Sequence, residues 1–526
     1  MNSKKSKPIN FYFWLTLIPI LLAGITLRVY HLSLVGLDVP FNLGGLFYQA
    51  SLEIIHNNYQ FPISIPYYFP GGLPFAYPPL PFYLQAWIIQ TFSISNYLTV
   101  NLMPPLFAVL SLLSFPFLAA QVCKSKISVL FAAFAFAVMP VAFVEQIEAQ
   151  GLAESFGTLA LIWYAFFILR VVETERKRDV FAAGVLLAVN ILGSPGGAYA
   201  AILTSVLFAL WVIYQSYRQK SARFLEQCLA VGALGLALSS PYWFTVLSAH
   251  GIDLFLTPFA AQHGSLTERI AELAFGIATL RIVWNAAVIW RVFLYYGLLE
   301  ALLRKKFALI FWVVLLYLIP REIWVMSVPA AVCIGFGAEC LLDRLQAASF
   351  IQRSQRSNTW QAGLAVSLFW ITFFLSYSHT THALTELIQS KEQEISVVQI
   401  NNLKQMQAFI PTDAPVCVAG NWGLIEWSPA LLQREVLNNH YGLEWQPAAG
   451  QTARAFTDLL MTSPPDVEAI LNYAQARYGV TGQLYLIADQ AYIQTLSNTA
   501  NSPQRSVSVE VIQEPGNLSL AVIQAK

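Results

Sequence analysis

NFYFWLTLIPILLAGITLRVYHLSLVGLDVPFNLGG, residues 10–45, joins a hydrophobic run to a loop whose only charged group is Asp38. A membrane-spanning helix needs roughly 20 apolar residues, and positions 10–29 supply them. Lys4, Lys5 and Lys7 stand before the run, and basic residues mark the cytoplasmic side of a span. A signal peptide begins in the same way, but no small-residue cleavage site follows here, so the segment reads as a retained first span with a cytoplasmic N-terminus.

Outward from this stretch, comparable runs occur near 98–121, 127–145, 154–172, 179–193, 198–215, 224–240, 285–303, 307–320, 323–342 and 360–378. That predicts eleven spans. Basic residues follow the even-numbered ones: Lys124 and Lys126, then Arg170 with Arg176–Arg178, Arg218 with Lys220 and Arg223, Arg304–Lys306, and Arg344 with Arg353 and Arg356. No Lys or Arg occurs between Val29 and Cys123. Residues 30–97 are therefore expected outside, as is the C-terminus after an odd number of spans. The apolar stretch 77–92 is too short to cross, and counting it as a span would reverse the Lys124 cluster, so it reads as a juxtamembrane helix.

Composition agrees with this outline. Charged residues make up 11% of the 526 positions and hydrophobic ones 56%, with 14 Trp, 23 Tyr and 36 Phe, about half the charge density of a soluble domain. A net charge of +1 gives no electrostatic case for nucleic acid; the bilayer is the expected partner. The five cysteines lack the short spacings of zinc sites or disulfide frameworks. From about Ala383 the chain turns acidic, with 13 acidic and 7 basic residues, and its hydrophobic runs shorten to strand length. Residues 383–526 are thus expected as a soluble α/β domain outside the membrane, after a transmembrane domain over 1–382. Within it VCVAG (416–420) and QLYLIA (483–488) read as buried strands. DVEAILNYAQARYG (466–479) reads as a helix with a glycine C-cap, and 507–523 as a closing hairpin.

The first outer loop holds two acids, Asp38 and Glu53, and no base. An acid without a counter-charge just beyond a span is a candidate general base; the alternative is an Asp that caps a helix starting in VPFNLGG. The loop continues to FPGGLPFAYPPLPFYLQAWIIQTF (69–92), where Gly71–Gly72 permit a tight turn and Pro78–Pro79 can start a helix. The second outer loop, VEQIEAQGLAESFGTLALIWYAFFILR (144–170), carries Glu145, Glu148 and Glu154. These acids could equally be solvated groups that keep the loop out of the membrane, or, for Glu154, a charge that favours a helix start.

Taken together, these features resemble the GT-C superfamily of membrane glycosyltransferases. The resemblance implies a polyprenyl-phosphate sugar donor, inverting transfer on the outer face, and Asp38 as the general base. It matches Tyr77, Pro78, Pro79 and Leu80 to a juxtamembrane motif and Glu154, about one span before Arg170, to the second acid, with Glu148 beside it. Val39 and Pro40 stand where many relatives have a second carboxylate. Arg321, at the outer end of the ninth span, is expected to bind carrier phosphate, since guanidinium bonds phosphate oxygens bidentately; the alternative is a helix anchor beside Glu322. His250, in the later outer loop of SPYWFTVLSAHGIDLF, is a candidate for substrate contact. In the tail, IEWSPALLQREVLNNHYGLEW (425–445) resembles a segment of a prokaryotic GT-C-like group. Its Glu426, Trp427, Arg434, Glu444 and Trp445 offer rings and charges of the kind that hold sugars, or else core and interface anchors.

His379 and His382 in HTTH form the only tight histidine pair; without a nearby carboxylate set or Cys they read as surface residues, and no metal site is assigned. A divalent-ion requirement stays open, and no other cofactor is expected. No P-loop, GxGxxG or GxSxG motif is present. The expectation is a multi-pass enzyme of a prokaryotic plasma membrane that transfers sugar to a glycan, lipid or protein acceptor. Its rivals are a non-catalytic envelope scaffold of the same fold and, less favoured, a secondary transporter, for which two matching halves with interrupted helices would be needed.

Overall fold

The computed structural model describes residues 11–94, 96–123, 125–174, 176–216, 221–255, 266–278, 286–318, 323–347, 357–391, 395–500, 506–513 and 516–525. Helix α1 (Phe11–Val35) leads into a folded loop. This comprises α2 (Gly45–His56), an antiparallel ribbon of β1 (Ser64–Ile65) and β2 (Leu73–Pro74), and α3 (Leu80–Phe92). Gly71 and Gly72 turn the ribbon at φ of 86° and 79°, which glycine adopts without steric cost. Pro79 then stands at the N-cap of α3.

Long helices follow: α4 (Asn96–Val122), α5 (Lys126–Val138), α6 (Leu152–Thr174), α7 (Lys177–Gly193), α8 (Pro195–Ser216) and α9 (Ser221–His250). After them come α10 (Leu266–Ala278), α11 (Val288–Leu303), α12 (Phe307–Tyr317), α13 (Ile323–Ala347) and α14 (Ser357–Lys391). Each stretch expected to span is mainly helical where it is described, but several ends differ: α1 runs on to Val35 and α14 to Lys391, past the expected 29 and 378. Helix α5 stops at Val138 rather than 145: Met139 is extended, as a residue before proline prefers, and Pro140 opens a 3₁₀ turn. Helix α9 runs on past 240, through Pro241, to His250.

Among the described residues, five helical stretches are long and apolar enough to cross a bilayer: Phe13–Val35, Tyr97–Val122, Ala149–Thr174, Leu225–His250 and Trp324–Arg344. Three apolar helices, Lys126–Val138, Pro195–Leu210 and Phe307–Tyr317, are shorter. Exposed Trp14, Leu15, Ile18 and Leu22 on α1, with Leu229, Leu236 and Phe244 on α9, give these helices an apolar outer face.

Helix α5 lies at the centre of the bundle, packed by α1, α4 and α13, and Phe136 stacks on Phe115 with ring centroids 4.3 Å apart. Arg28 of α1 is fully buried here. Its guanidinium donates to the carbonyls of Gly24, Ala108, Phe136 and Ala137 at 3.0–3.1 Å and lies 4.6 Å from the Phe143 ring centroid. Phe136 and Ala137 belong to the last turn of α5, whose carbonyls lack helical partners and carry partial negative charge. Beside them Thr380 donates to the Val138 carbonyl at 2.6 Å.

The tail begins with α15 (Val397–Met406) and β3 (Val416–Val418), then α16 (Trp422–Leu432), α17 (Pro447–Leu460) and α18 (Val467–Tyr478). It ends with β4 (Gln483–Asp489), α19 (Gln490–Ala500), β5 (Val507–Gln513) and β6 (Leu518–Ala525). The sheet order is β3-β4-β6-β5, with β3 parallel to β4 and the other pairs antiparallel. Both expected strands, the terminal hairpin and the 466–479 helix are present, the last capped by Asp466 and ended by Gly479 at φ 67°. Residue 383, where composition shifts, falls inside α14. One apolar cluster joins loop and tail, packing Leu46, Tyr68, Phe75 and Phe82 with Leu424, Trp427, Val436 and Leu520.

Candidate functional site

At this junction the first loop and the tail share a helix terminus. Helix α2 starts at Gly45 with no side-chain cap from Gly44, leaving its first N–H groups in need of acceptors. The buried Glu426 carboxylate of α16 provides them. Its Oε2 accepts from the Gly44 and Gly45 amides at 3.2 and 2.9 Å, and its Oε1 from the Leu46 amide at 2.8 Å. An anion at a helix N-terminus also meets the positive end of the helix dipole. Gly45 is required by the closeness of this contact: a Cβ there would lie 2.8 Å from the Tyr68 hydroxyl and 3.1 Å from Glu426 Oε2. The same helix start binds the tail a second time, for Trp427 Nε1 donates to the Asn42 carbonyl at 3.3 Å.

Beside this lock is a cavity of about 300 Å³ whose walls include Phe47, Tyr77, Gln150, Glu426, His440, Tyr441 and Arg454. Tyr77 packs edge-on against Phe47 and Trp445, with centroids 5.2 and 5.6 Å apart. His440 lies edge-on to Trp422 at 4.5 Å and stacks on Tyr441 at 5.1 Å. Burial, helped by the Arg454 charge and opposed by Asp458, lowers His440 to about 4. The ring is therefore neutral near pH 7. Its Nδ1 is buried with no hydrogen-bond partner. Arg454 is exposed.

The acids of the first two loops separate. Asp38 is exposed between α1 and α2, and among the described residues it has no ion-pair or hydrogen-bond partner. It does not cap α2, because Glu426 does. The backbone around it is nonetheless held: buried Asn101 of α4 donates to the Leu37 and Val39 carbonyls at 2.9 and 2.6 Å and accepts from the Phe41 amide at 3.2 Å. Glu148 is buried and accepts from Asn42 at 2.6 Å and Gln150 at 2.7 Å. Glu154 is half-buried in the first turn of α6, where the dipole favours an acid. Glu145 is exposed.

No protein-family profile matches the sequence, and no curated relative does. Solved structures do resemble it in three dimensions. The archaeal oligosaccharyltransferase AglB from Archaeoglobus fulgidus, in complex with an inhibitory peptide and a dolichol-phosphate, matches with a TM-score of 0.62 at 14% identity over 93% of this chain and 70% of its own. ArnT from Cupriavidus metallidurans, bound to undecaprenyl phosphate, matches with a TM-score of 0.58 at 12% identity over 96% of this chain and 97% of its own. The arabinofuranosyltransferase AftD from Mycobacteria gives 0.54 at 13% identity over 98% of this chain and 40% of its own. All three are GT-C glycosyltransferases.

The chain has the GT-C fold.

With this fold and its long apolar helices, the chain is a membrane protein. The remaining residues singled out from sequence scatter around the fold. Tyr77 lines the cavity and Trp445 packs on it. His250, expected in a loop, is the last residue of α9, where its Nε2 donates to the Ile63 carbonyl at 3.0 Å and ties that helix to the first loop. Glu444 lies in the 3₁₀ turn Leu443–Trp445. Arg321 lies outside the described residues. Arg434 turns inward, donating to the carbonyls of Gln407, Ile410, Pro411, Leu432 and Gln433, so it clamps backbone. Trp427 is buried in the core.

Sequence reasoning missed the role of Glu426, the cavity residues His440 and Arg454, and the Asn101 clamp. One signal was available for the first: a helix opening on Gly44–Gly45 brings no side-chain cap of its own, so its first amides need an acceptor from elsewhere. Among the described residues no three His, Cys, Asp or Glu side chains group to hold a metal ion. His382 faces Glu386 at 3.5 Å, both exposed.

Proposed function

We propose that this chain is a glycosyltransferase that takes a sugar from a polyprenyl-phosphate carrier and transfers it, with inversion, to an acceptor hydroxyl on the extracytoplasmic face. The observation that carries the reading is a GT-C likeness over more than nine-tenths of the chain to enzymes solved with dolichol-phosphate and undecaprenyl phosphate. In this reading eleven spans leave the N-terminus cytoplasmic and the tail, residues 383–526, outside. The carrier enters from the bilayer with its phosphate near Arg321.

Asp38 is the general base. It takes the acceptor hydroxyl proton as that oxygen bonds to the anomeric carbon, while the bond from that carbon to the phosphate oxygen breaks and the phosphate leaves with the electron pair. Two features support Asp38: an exposed carboxylate with no described partner can accept a proton, and the Asn101 clamp fixes the backbone on either side of it. Glu148 and Glu154 shape the second loop and share the acceptor side. Tyr77, Trp445, His250 and Glu444 contribute to substrate binding around the same junction.

The scaffold reading is favoured by one observation: the buried acids Glu148 and Glu426 both hold loops in place. Transfer from labelled polyprenyl-phosphate sugars in proteoliposomes separates the two readings. Turnover by the native chain and its loss in Asp38→Asn support the enzyme; a folded native chain inert with every donor offered supports the scaffold.

A further inference from the structure

The cavity between the first loop and the tail is not used by the transfer step as written, and its chemistry is specific. Its volume of about 300 Å³ lies at the lower end of the roughly 300–1,000 Å³ range of small-molecule pockets, enough for one sugar ring. Phe47, Tyr77 and Tyr441 make part of the lining aromatic, the kind of surface that packs on the C–H groups of a pyranose. The polar groups are of both kinds. Glu426 is a buried acceptor and Arg454 a donor that forms no ion pair among the described residues.

We propose that this cavity binds one uncharged pyranose, the terminal sugar of the acceptor glycan. One anion and one cation in the lining nearly cancel, so neither a uronate nor an amino sugar is favoured over a neutral ring. Vicinal hydroxyls suit both charges, since they donate to a carboxylate and accept from a guanidinium fork. The His440 ring in the same lining is neutral near pH 7 and adds no charge to that balance. Asp458, one turn beyond Arg454 on α17, also acts on His440 and reduces the pull of Arg454 on an anionic ligand. That the sugar is the acceptor rests on the transferase reading; that the cavity takes a neutral pyranose does not.

The test is saturation-transfer NMR on the full-length protein in nanodiscs with no donor present, offering methyl glucoside, mannoside and galactoside beside glucuronate and glucosamine. At least one neutral pyranoside should bind, more tightly than either charged sugar. Arg454→Gln alters an exposed residue and leaves the fold undisturbed; together with His440→Phe it should weaken that binding about tenfold or more. No binding of any neutral pyranoside, tighter binding of a charged sugar, or unchanged binding in Arg454→Gln would each overturn the assignment. Binding without transfer in the proteoliposome assay would retire the transferase reading and leave the pocket standing.

Discussion

Replacing Glu426 by alanine removes the carboxylate that caps the first turn of α2. Three buried amides, those of Gly44, Gly45 and Leu46, would then lose acceptors now 2.8–3.2 Å away. A buried donor left without its charged acceptor costs about 1–3 kcal/mol, and the lost dipole interaction adds about 0.3–1 kcal/mol. The three bonds share one carboxylate, so their costs do not simply add; about 3–5 kcal/mol for opening this junction is expected. That energy corresponds to roughly 10²- to 10⁴-fold faster hydrogen exchange at residues 44–46. Glu426→Gln keeps one acceptor oxygen but turns an NH₂ towards amide donors, and should fall between native and alanine. Exchange mass spectrometry in nanodiscs reads the local effect, which a thermal midpoint for so large a chain would blur. Unchanged exchange at 44–46 in a folded Glu426→Ala protein would refute the proposal that this side chain locks the loop to the tail.

Three further outcomes are expected. Asp38→Asn should lower sugar transfer about 10²- to 10⁴-fold, the usual contribution of a positioned base, with a smaller loss in Glu154→Gln; near-native turnover in a folded Asp38→Asn protein would remove Asp38 from the mechanism. His440 sits at about 4 in the folded chain against 6.5 when unperturbed, so as pH falls from about 6.5 to about 4 the unfolded chain takes up a proton that the folded ring does not, and stability declines. Above pH 6.5 the effect vanishes, and a His440→Phe variant should show a flatter melting profile across that window. Arg434→Lys cannot reproduce a planar fork over several carbonyls and should lower stability by about 1–2 kcal/mol, read as earlier melting of the tail with sugar binding at the cavity retained.

Helices were legible in the sequence because long apolar runs record burial and lipid exposure directly, and the 466–479 helix because both of its ends carry local capping residues. The edge of α5 was missed where a local signal, Pro140, was overridden by the apolar run that continues past it. The site was legible only in part. Tyr77 was singled out by its juxtamembrane motif and Trp445 by the acid-aromatic segment around it, but the partner of Gly44–Gly45 lies some 380 residues away at Glu426. A contact at that separation leaves no periodicity or spacing in either segment. The same limit left Arg434 open between sugar contact and a structural role, since whether a guanidinium faces ligand or backbone depends on which carbonyls the fold brings to it.

Arg28 adds a constraint on how the chain is made. Its guanidinium is satisfied by carbonyls from α4 and α5, 80 and 108–109 residues further along the chain, and by one from its own helix. When α1 first enters the bilayer those acceptors do not yet exist, and a charged side chain in lipid is costly. The newborn helix must therefore shelter Arg28 at an interface or within the insertion machinery until α5 arrives. Three of the four carbonyls that satisfy Arg28 are thus made only after the side chain they serve, which ties the burial of α1 to the arrival of α4 and α5.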